Sequence, residues 1–548
     1  MSKITIPKDI AALAGEMGER FKSEQDLSDS NPALKRRRRA GAREGRRALR
    51  AKRPAGTVGA SLQGGAYGPL SERDIERIHH TALDVLEKVG MGNPLPILRE
   101  HALARGGRID QHDRLCYPRA LVEDVIAAMP REFVVHAYNP DNDVESGAGR
   151  VHFGPGGDAV TTLDVNGRCY RPSTLVDVYD FARLIDWLEH VHDFSQVVIA
   201  TDIPDLRAAD LNMAYAAITG TTKHVCLSPT DAAHVDDIIE LMDLIAGGEK
   251  KRRERPFCSA GGCCVVSPLT YGDDNSEVCL AATRIGGPVW AVMAPQAGAT
   301  APAALAGTLV QVTAESLAAL MLVQLVVPGQ PMAFGPWPFV SDLRTGAFTG
   351  GGGEQALLAA AAAQIGRHYG LPTSVGAGMS DAKWPDAQAG FEKGITVTSA
   401  ALAGAEVSEV AGMMASLMGC SFEAMVIDND MLGSVARLLR GIEVTEETLS
   451  FETIRDVVRD PGHYLGHSQT LSLMESEYLY PGISDRRSQG EWQEAGRPDI
   501  VDAARARVRE ILSTHYPDHI GPATDRKIRE RFDILLPEEA MRPGNGRW

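Results

Sequence analysis

From Ser195 onward the chain alternates short apolar runs with longer stretches of helical period. The runs are SQVVIAT (195–201), HVCLSP (224–229), FCSAGGCCVV (257–266), PVWAVMA (288–294), PMAFGPW (331–337), TSVGAGM (373–379), EVSEVAG (406–412) and AMVIDN (424–429). Each is apolar almost throughout, the pattern of a strand buried on both faces by flanking helices. Between them stand helix formers such as DLRAADLNMAYAAITG, DAAHVDDIIELMDLIAG and EQALLAAAAAQIGRHYG. Eight such units in about 240 residues have the size of a closed (β/α)8 TIM barrel of the α/β class. The connection near Ser416–Glu423 is the shortest. A doubly wound open sheet is the competing architecture, but no GxGxxG opens the first unit.

The segment before the barrel reads differently. Ser71-Glu72-Arg73-Asp74 has capping-box spacing, and Ile75, Ile78, Ala82, Val85 and Val89 follow at helical spacing until Gly90. Phe133–Tyr138 alternates as a strand, and VHFGPGGDAVTTLDVNGRCYRP carries Asn166-Gly167 as a hairpin turn. The expected organisation is a basic, flexible arm over 1–66, an N-terminal α+β extension over 67–194, the barrel over 195–441 and a C-terminal helical extension over 442–548.

Composition narrows the function classes. Apolar residues make up 44% of the 548, enough for a large core, and the net charge of −16 argues against nucleic acid as a partner. The exception is KRRRRAGAREGRRALRAKR, Lys35 to Arg53, read as a solvated arm or a docking arm for an acidic partner. MSKITIPKDI has no apolar core of signal-peptide length. Leu317–Val327 is too short to span a bilayer and follows Glu315. A cytoplasmic enzyme without membrane contact is expected, assembled as a homo-oligomer. The eight Cys lie scattered in apolar contexts and are expected reduced.

Several chemistries leave no motif. The phosphate loop, HExxH, paired CxxC and the GxSxG elbow are missing. His224, Cys226, Cys258, Cys263 and Cys264 come nearest to a zinc set, but adjacent strand residues face opposite ways, so no metal is expected. The corrinoid-binding pattern DxHxxG is also missing, so this chain is expected to bind no cobalamin tightly by itself.

Four segments carry a family resemblance: HFGPGGDAVTTLDVNGRCYRPSTLVDVYDFARLIDWL, APQAGATAPAALAGTLVQVTAESLAALMLVQLVVPGQPMAFG, SDLRTGAFTGGGGEQALL with SDAKWPDAQAGFEK, and PGHYLGHSQTLSLMESEYLYPGISDRRSQGEWQEAG. Together they resemble the trimethylamine methyltransferase (MttB) family over most of the chain, in the branch that uses ordinary residues in place of pyrrolysine. The resemblance implies a TIM barrel and methyl transfer from a methylated amine to Co(I) of a separate corrinoid protein. For that branch it implies a quaternary amine, with glycine betaine first and proline betaine or carnitine next; trimethylamine as donor, a zinc-assisted barrel and a non-catalytic amine-binding barrel are the alternatives.

A methylated ammonium offers few hydrogen bonds, so aromatic faces and carboxylates are its natural partners. Barrel sites lie at the C-terminal ends of strands. There the sequence places Phe334, Trp337 and Phe339 as an aromatic cage, Asp381 to balance the cation and Lys383 to meet a substrate carboxylate. His224 opens the second strand run, and His463 and His467 stand in GHYLGH, a motif of the resemblance. For each the alternative is structural: barrel-end packing, a loop salt bridge, a core histidine, a turn. Asp202 is expected to cap a helix, as are Asp428 and Asp430.

Overall fold

A computed structural model describes residues 64–548 apart from 460–461, with the side chains of 407–410 also left aside. Residues 1–63 of the basic arm, with its Lys35–Arg53 run, lie outside the described residues. Eight parallel strands form the core; we label them β1–β8, and the helix after each α1–α8. They are β1 His152–Pro155, β2 Asp193–Ser195, β3 His224–Leu227, β4 Cys258–Gly262, β5 Val289–Ala291, β6 Met332–Ala333, β7 Ser374–Gly376 and β8 Val407–Ala411. The helices are α1 Leu175–Trp187, α2 Leu206–Gly220, α3 Val235–Ala246, α4 Asp273–Ala282, α5 Leu305–Val326, α6 Gly353–Tyr369, α7 Ala387–Ala403 and α8 Phe422–Leu439.

The ring closes. Parallel ladders join β2 to β3, β3 to β4, β4 to β5, and β5 to β6. A parallel bridge from Phe334 to Thr373 carries β6 to β7, and ladders continue to β8 and from β8 to β1. The last seam, β1 to β2, is made by the His192 N–H donating to the Phe153 carbonyl at 2.8 Å and by the Ala159–Val198 bridge. This is a (β/α)8 barrel.

Two strand assignments differ from the sequence reading. AMVIDN is not a strand: it lies inside α8, which Ser421 caps by accepting the Ala424 N–H. The missing strand is HFGP, the front of the segment read as a hairpin; only Thr161–Leu163 and Tyr170–Pro172 form that hairpin. The count of eight therefore holds with the frame moved one unit toward the N-terminus. AMVIDN is short and apolar, and such runs suit a buried helix turn as well as a strand. In HFGPGGD the glycines masked a strand that runs straight into the barrel mouth.

Helix starts follow their caps. Thr174 and Asp177 make a reciprocal capping box on α1, and Asp205 and Asp386 cap α2 and α7. Asp202 does cap a helix, but another one: its Oδ1 accepts the Leu175 N–H at the start of α1. The apolar helix α5 is buried in the molecule, with Glu315 accepting from Ser267 Oγ and the Leu269 N–H.

The hairpin Glu132–Val135/Val144–Gly147 plugs the N-terminal end of the barrel. Val135 and Val144 pack there with Trp290 and Ala333. Glu406 receives the N–H groups of Gly147 and Gly149, tying plug to barrel. At the other seam, helix α9 (Ile500–Thr514) packs across α8 and α1.

Candidate active site at the barrel mouth

Register decides which side chains face the lumen. Ser259 on β4 accepts from the Trp290 indole at 3.1 Å and lies 2.7 Å from His224 Nε2. This places His224, Trp290 and their register partners inside the ring. By the same pairing Asp193, Ser195, Gly154, Gly261 and Gly376 line it. Several are glycine for a reason of space. A Cβ on Gly261 would lie 1.7 Å from the Trp290 carbonyl oxygen, and one on Gly376 would meet Trp337 and Phe339 at 3.0–3.1 Å. Bare backbone at these positions makes room for the neighbouring carbonyl and rings.

Two carboxylic acids belong to the β1–β2 side of the ring. Asp158 ends the β1 turn and accepts from Gln196 Nε2 at 2.8 Å, with the Ser228 hydroxyl also bonded to it. Its surface is solvent-accessible, yet burial raises its pKa to about 6 against the help of those two donors. Asp193 on β2 accepts from Ser195 Oγ at 3.0 Å. Burial lifts its pKa to about 7, opposed by Ser195 and by the positive charge of Lys223. Cys263 at the end of β4 is likewise accessible and desolvated, its thiol raised to about 12, first by burial.

The opposite arc is aromatic. β6 faces β2 across an eight-membered ring, and the chain leaving β6 carries Trp337 and Phe339. The Trp337 indole N–H donates to Ser374 Oγ at 3.0 Å, and its ring meets Phe339 edge-on at 6.3 Å. Phe339 packs in turn on Phe348, 4.9 Å away, in a small sheet with Gln296–Ala297. Trp337 and Phe339 follow β6 in the chain and are buried, 6% and 2% exposed, within the main hydrophobic core. Phe334 does not join them. Its ring packs edge-on against Tyr369 at the end of α6, between barrel and helices.

The remaining sequence candidates are spread out. Asp381 stands on the β7–α7 loop, where its Oδ1 accepts from Ser416 Oγ at 2.7 Å and from the Gly350 N–H at 2.9 Å. Lys383 is exposed on the rim and donates to the Asp381 carbonyl. His224 is committed at the floor: Nδ1 lies 2.7 Å from the His136 carbonyl oxygen, Nε2 binds Ser259, and burial lowers its pKa to about 4. His467 caps the short helix Ser468–Leu473 through the Gln469 N–H, in the C-terminal segment. Asp428 binds Lys393 at 2.6 Å behind β8, and Asp430 accepts three N–H groups from Gly482–Ser484. Neither caps α8.

Asp158, Asp193, Gln196 and Ser228 escaped the sequence reading. The available signal was PGGD directly after an apolar run, the form of a β-strand turning at a barrel mouth. Basic side chains on the mouth loops have partners of their own: Arg171 pairs with Asp177, Arg344 with Asp342, and Arg168 lies 4.3 Å over the Trp384 ring. Carboxyl groups and aromatic rings are the residue types that suit a small organic cation. No cluster of three or more His, Cys, Asp or Glu fit to hold a metal ion occurs among the described residues.

The family model described as trimethylamine methyltransferase (MTTB) matches residues 36–533. A glycine betaine methyltransferase of Desulfitobacterium hafniense is 30% identical over 84% of this chain and 96% of its own length. A trimethylamine methyltransferase MttB of Methanosarcina thermophila is 32% identical over 83% of this chain and 95% of its own. The crystal structure of Methanosarcina barkeri monomethylamine methyltransferase (MtmB) aligns with 82% of this chain and 89% of its own at 13% identity and a TM-score of 0.46. The barrel assignment above rests on this chain's own strand pairing.

Proposed function

This chain belongs to the trimethylamine methyltransferase family and is a methyltransferase; from that premise we propose that it moves a methyl group from a small quaternary amine of the glycine betaine kind to Co(I) of a separate corrinoid protein. The observation that carries the reading is the pair of desolvated carboxyls, Asp158 and Asp193, which with Trp337 and Phe339 opposite would wall a pit for the cation. A quaternary ammonium has no N–H to donate. It is held by charge and by ring faces, and this lining offers both.

The corrinoid supplies the methyl acceptor. This chain's residues bind the cation, orient one methyl toward the mouth and keep water away from it. The carbon–nitrogen bond breaks with its electron pair on nitrogen, so a quaternary donor leaves as a neutral amine and needs no general acid. Asp158 and Cys263, just beyond the C-terminal ends of β1 and β4, have accessible surface, and this is the end of the barrel to which a second protein would bring the acceptor. Lys383 is engaged by one carbonyl and exposed, so its other donors suit a betaine carboxylate at the rim. Asp381, bonded to Ser416 and Gly350, adds negative charge to the rim.

One observation favours trimethylamine as a second reading. Asp193, with a pKa near 7, suits a hydrogen bond to the single N–H of trimethylammonium. The deciding assay is substrate-dependent methylation of Co(I) cobalamin, followed by its absorbance change. Glycine betaine or another quaternary amine is expected to support turnover. Turnover of trimethylamine and of no quaternary amine overturns the proposal.

A further inference from the structure

Helix α2 carries one acid, Asp210, and buries it. A carboxylate in such a place is costly unless donors answer it. Three do, all at one oxygen. Oδ2 accepts from the Thr230 N–H at 2.7 Å, from the Thr230 hydroxyl at 2.8 Å and from His234 Nδ1 at 2.7 Å. Oδ1 is buried and has no hydrogen-bond partner among the described residues. The buried amide two residues on, Asn212, is bonded at both its atoms, to the Ala208 and Asp533 carbonyls and to the Leu535 N–H. The donor set at Asp210 Oδ2 matches an ionised carboxylate, which accepts and does not donate.

The loop that holds Asp210 also holds Asp158. Ser228, Pro229 and Thr230 follow β3 directly. The Ser228 hydroxyl is bonded to Asp158, and Thr230, two residues on, donates twice to Asp210. The two carboxyls thus share one three-residue span, Asp158 after β1 in the barrel and Asp210 in the helix layer around it. Burial raises the Asp158 carboxyl, the Ser228 and Gln196 donors oppose it, and the like charge of Asp210 raises it further. Cys263 also faces Asp158, but burial raises its thiol to about 12 and keeps it uncharged. On the far side of the dyad, His234 faces Asp237, which Arg207 pairs at 2.5 Å.

We propose that Asp210 is a positioning residue for the amine site: its negative charge sets how tightly Asp158 keeps the proton that an arriving organic cation has to displace. The proton leaves to water, and the Asp158 carboxylate becomes the counter-charge of the ammonium. The inference rests on the reading of Asp158 as part of the cation site. Two neighbouring desolvated carboxylates with no cation between them are costly, so a proton on Asp158 relieves the empty site and the substrate relieves the filled one. Thr230 and His234 hold Asp210 in place, and the shared span carries any displacement of Asp210 to Ser228 and so to Asp158.

The test reads Asp158 itself. A water-soluble carbodiimide with an amine nucleophile couples carboxyls in their protonated form, and Asp158 has accessible surface. Peptide mass spectrometry of the full chain gives its labelling rate against pH without substrate. Asp210→Asn removes the charge and keeps the shape: the amide oxygen takes the place of Oδ2 and the NH2 that of Oδ1, where no donor stands. The labelling midpoint of Asp158 is expected to fall by about half a pH unit or more. Asp210→Ser removes the same charge with a smaller group and is expected to give the same direction. In Asp210→Asn the ratio of glycine betaine affinity at pH 7.5 to that at pH 5 should fall about threefold, whereas a purely structural role changes both affinities alike and leaves the ratio as in wild type. An unshifted midpoint in the folded Asn and Ser variants, or an unchanged ratio, overturns the proposal and leaves the cation site standing. A midpoint that shifts while saturating glycine betaine fails to slow labelling of wild-type Asp158 removes Asp158 from the amine site, and the assignment of Asp210 with it.

Discussion

Asp193 lies directly against Gly154: a Cβ built on Gly154 would come within 2.3 Å of Asp193 Oδ1. The carboxylate owes its place in the pit to a missing methyl group on the neighbouring strand. Gly154→Ala should push Asp193 aside at an overpacking cost of about 1–3 kcal/mol. Substrate affinity is expected to fall about tenfold or more, with the barrel still folded. Calorimetric titration with a methylated amine, beside a thermal melt, measures both; unchanged affinity in the folded variant removes Asp193 from the site.

The two pit acids also set a pH dependence. Burial raises Asp158 to about 6 and Asp193 to about 7, above the free value of 3.8. The folded protein therefore holds more protons than the unfolded chain between these values, and these groups make stability decline as pH rises through that window. A bound cation acts in the opposite sense, because it favours both carboxylates. Amine affinity should rise from pH 5 to pH 7.5, by at most about tenfold per unit for each group, with proton release on binding. Titration in buffers of different ionisation enthalpy counts the protons. Affinity that is flat over this range excludes both acids as the counter-charge.

The aromatic residues separate into two roles. Trp337→Ala should weaken binding of a quaternary amine by about 0.5–2 kcal/mol through the lost ring face. Phe334 packs on Tyr369 outside the lumen, so Phe334→Ala should instead cost about 3–5 kcal/mol of stability and leave affinity in the folded fraction unchanged. Denaturant titration and ligand titration on both variants test the pair. The reversed pattern would move the cage to the other ring.

How far these roles were legible in the sequence depended on the kind of signal. The alternation of apolar runs and helices is a property of strands buried on both faces, and it revealed seven of the eight strands and the barrel. The eighth run, AMVIDN, carries the same apolar composition because α8 is buried too. Trp337 and Phe339 stood out in the sequence because rings are rare and stand after a strand; their burial in the core is a property of the fold that the sequence did not show. Asp158 and Asp193 were not. Their role comes from closure: β1 meets β2 and β8 only when the ring is complete, and one misplaced strand assigns Asp158 to a hairpin. His224 misled for the opposite reason. A histidine on a barrel strand reads as functional until its two nitrogens are seen bonded to the His136 carbonyl and Ser259.

The C-terminal seam yields a prediction about stability apart from chemistry. Arg183 on α1 is fully buried. Its guanidinium donates to Asp180 at 2.8 Å and to the His515 carbonyl at 2.9 Å, and lies 3.7 Å from the Tyr516 ring centre. Asp180 also receives the Trp548 indole N–H at 2.9 Å, and Trp548 packs on Phe422 of α8. One cation thus ties the first barrel helix to the chain's end, across the seam where the ring closes. Arg183→Ala leaves buried carbonyls without their donor and deprives Asp180 of one of its cations. The expected loss is roughly 3–5 kcal/mol. Arg183→Lys keeps the charge but has a single donor group on a thinner stem, and should recover only part of it. Denaturant midpoints for the three proteins give the order wild type, lysine, alanine. Since the seam lies outside the lumen, amine affinity of the folded alanine variant should match wild type, and an alanine variant as stable as wild type would show that α9 closes the barrel without this link.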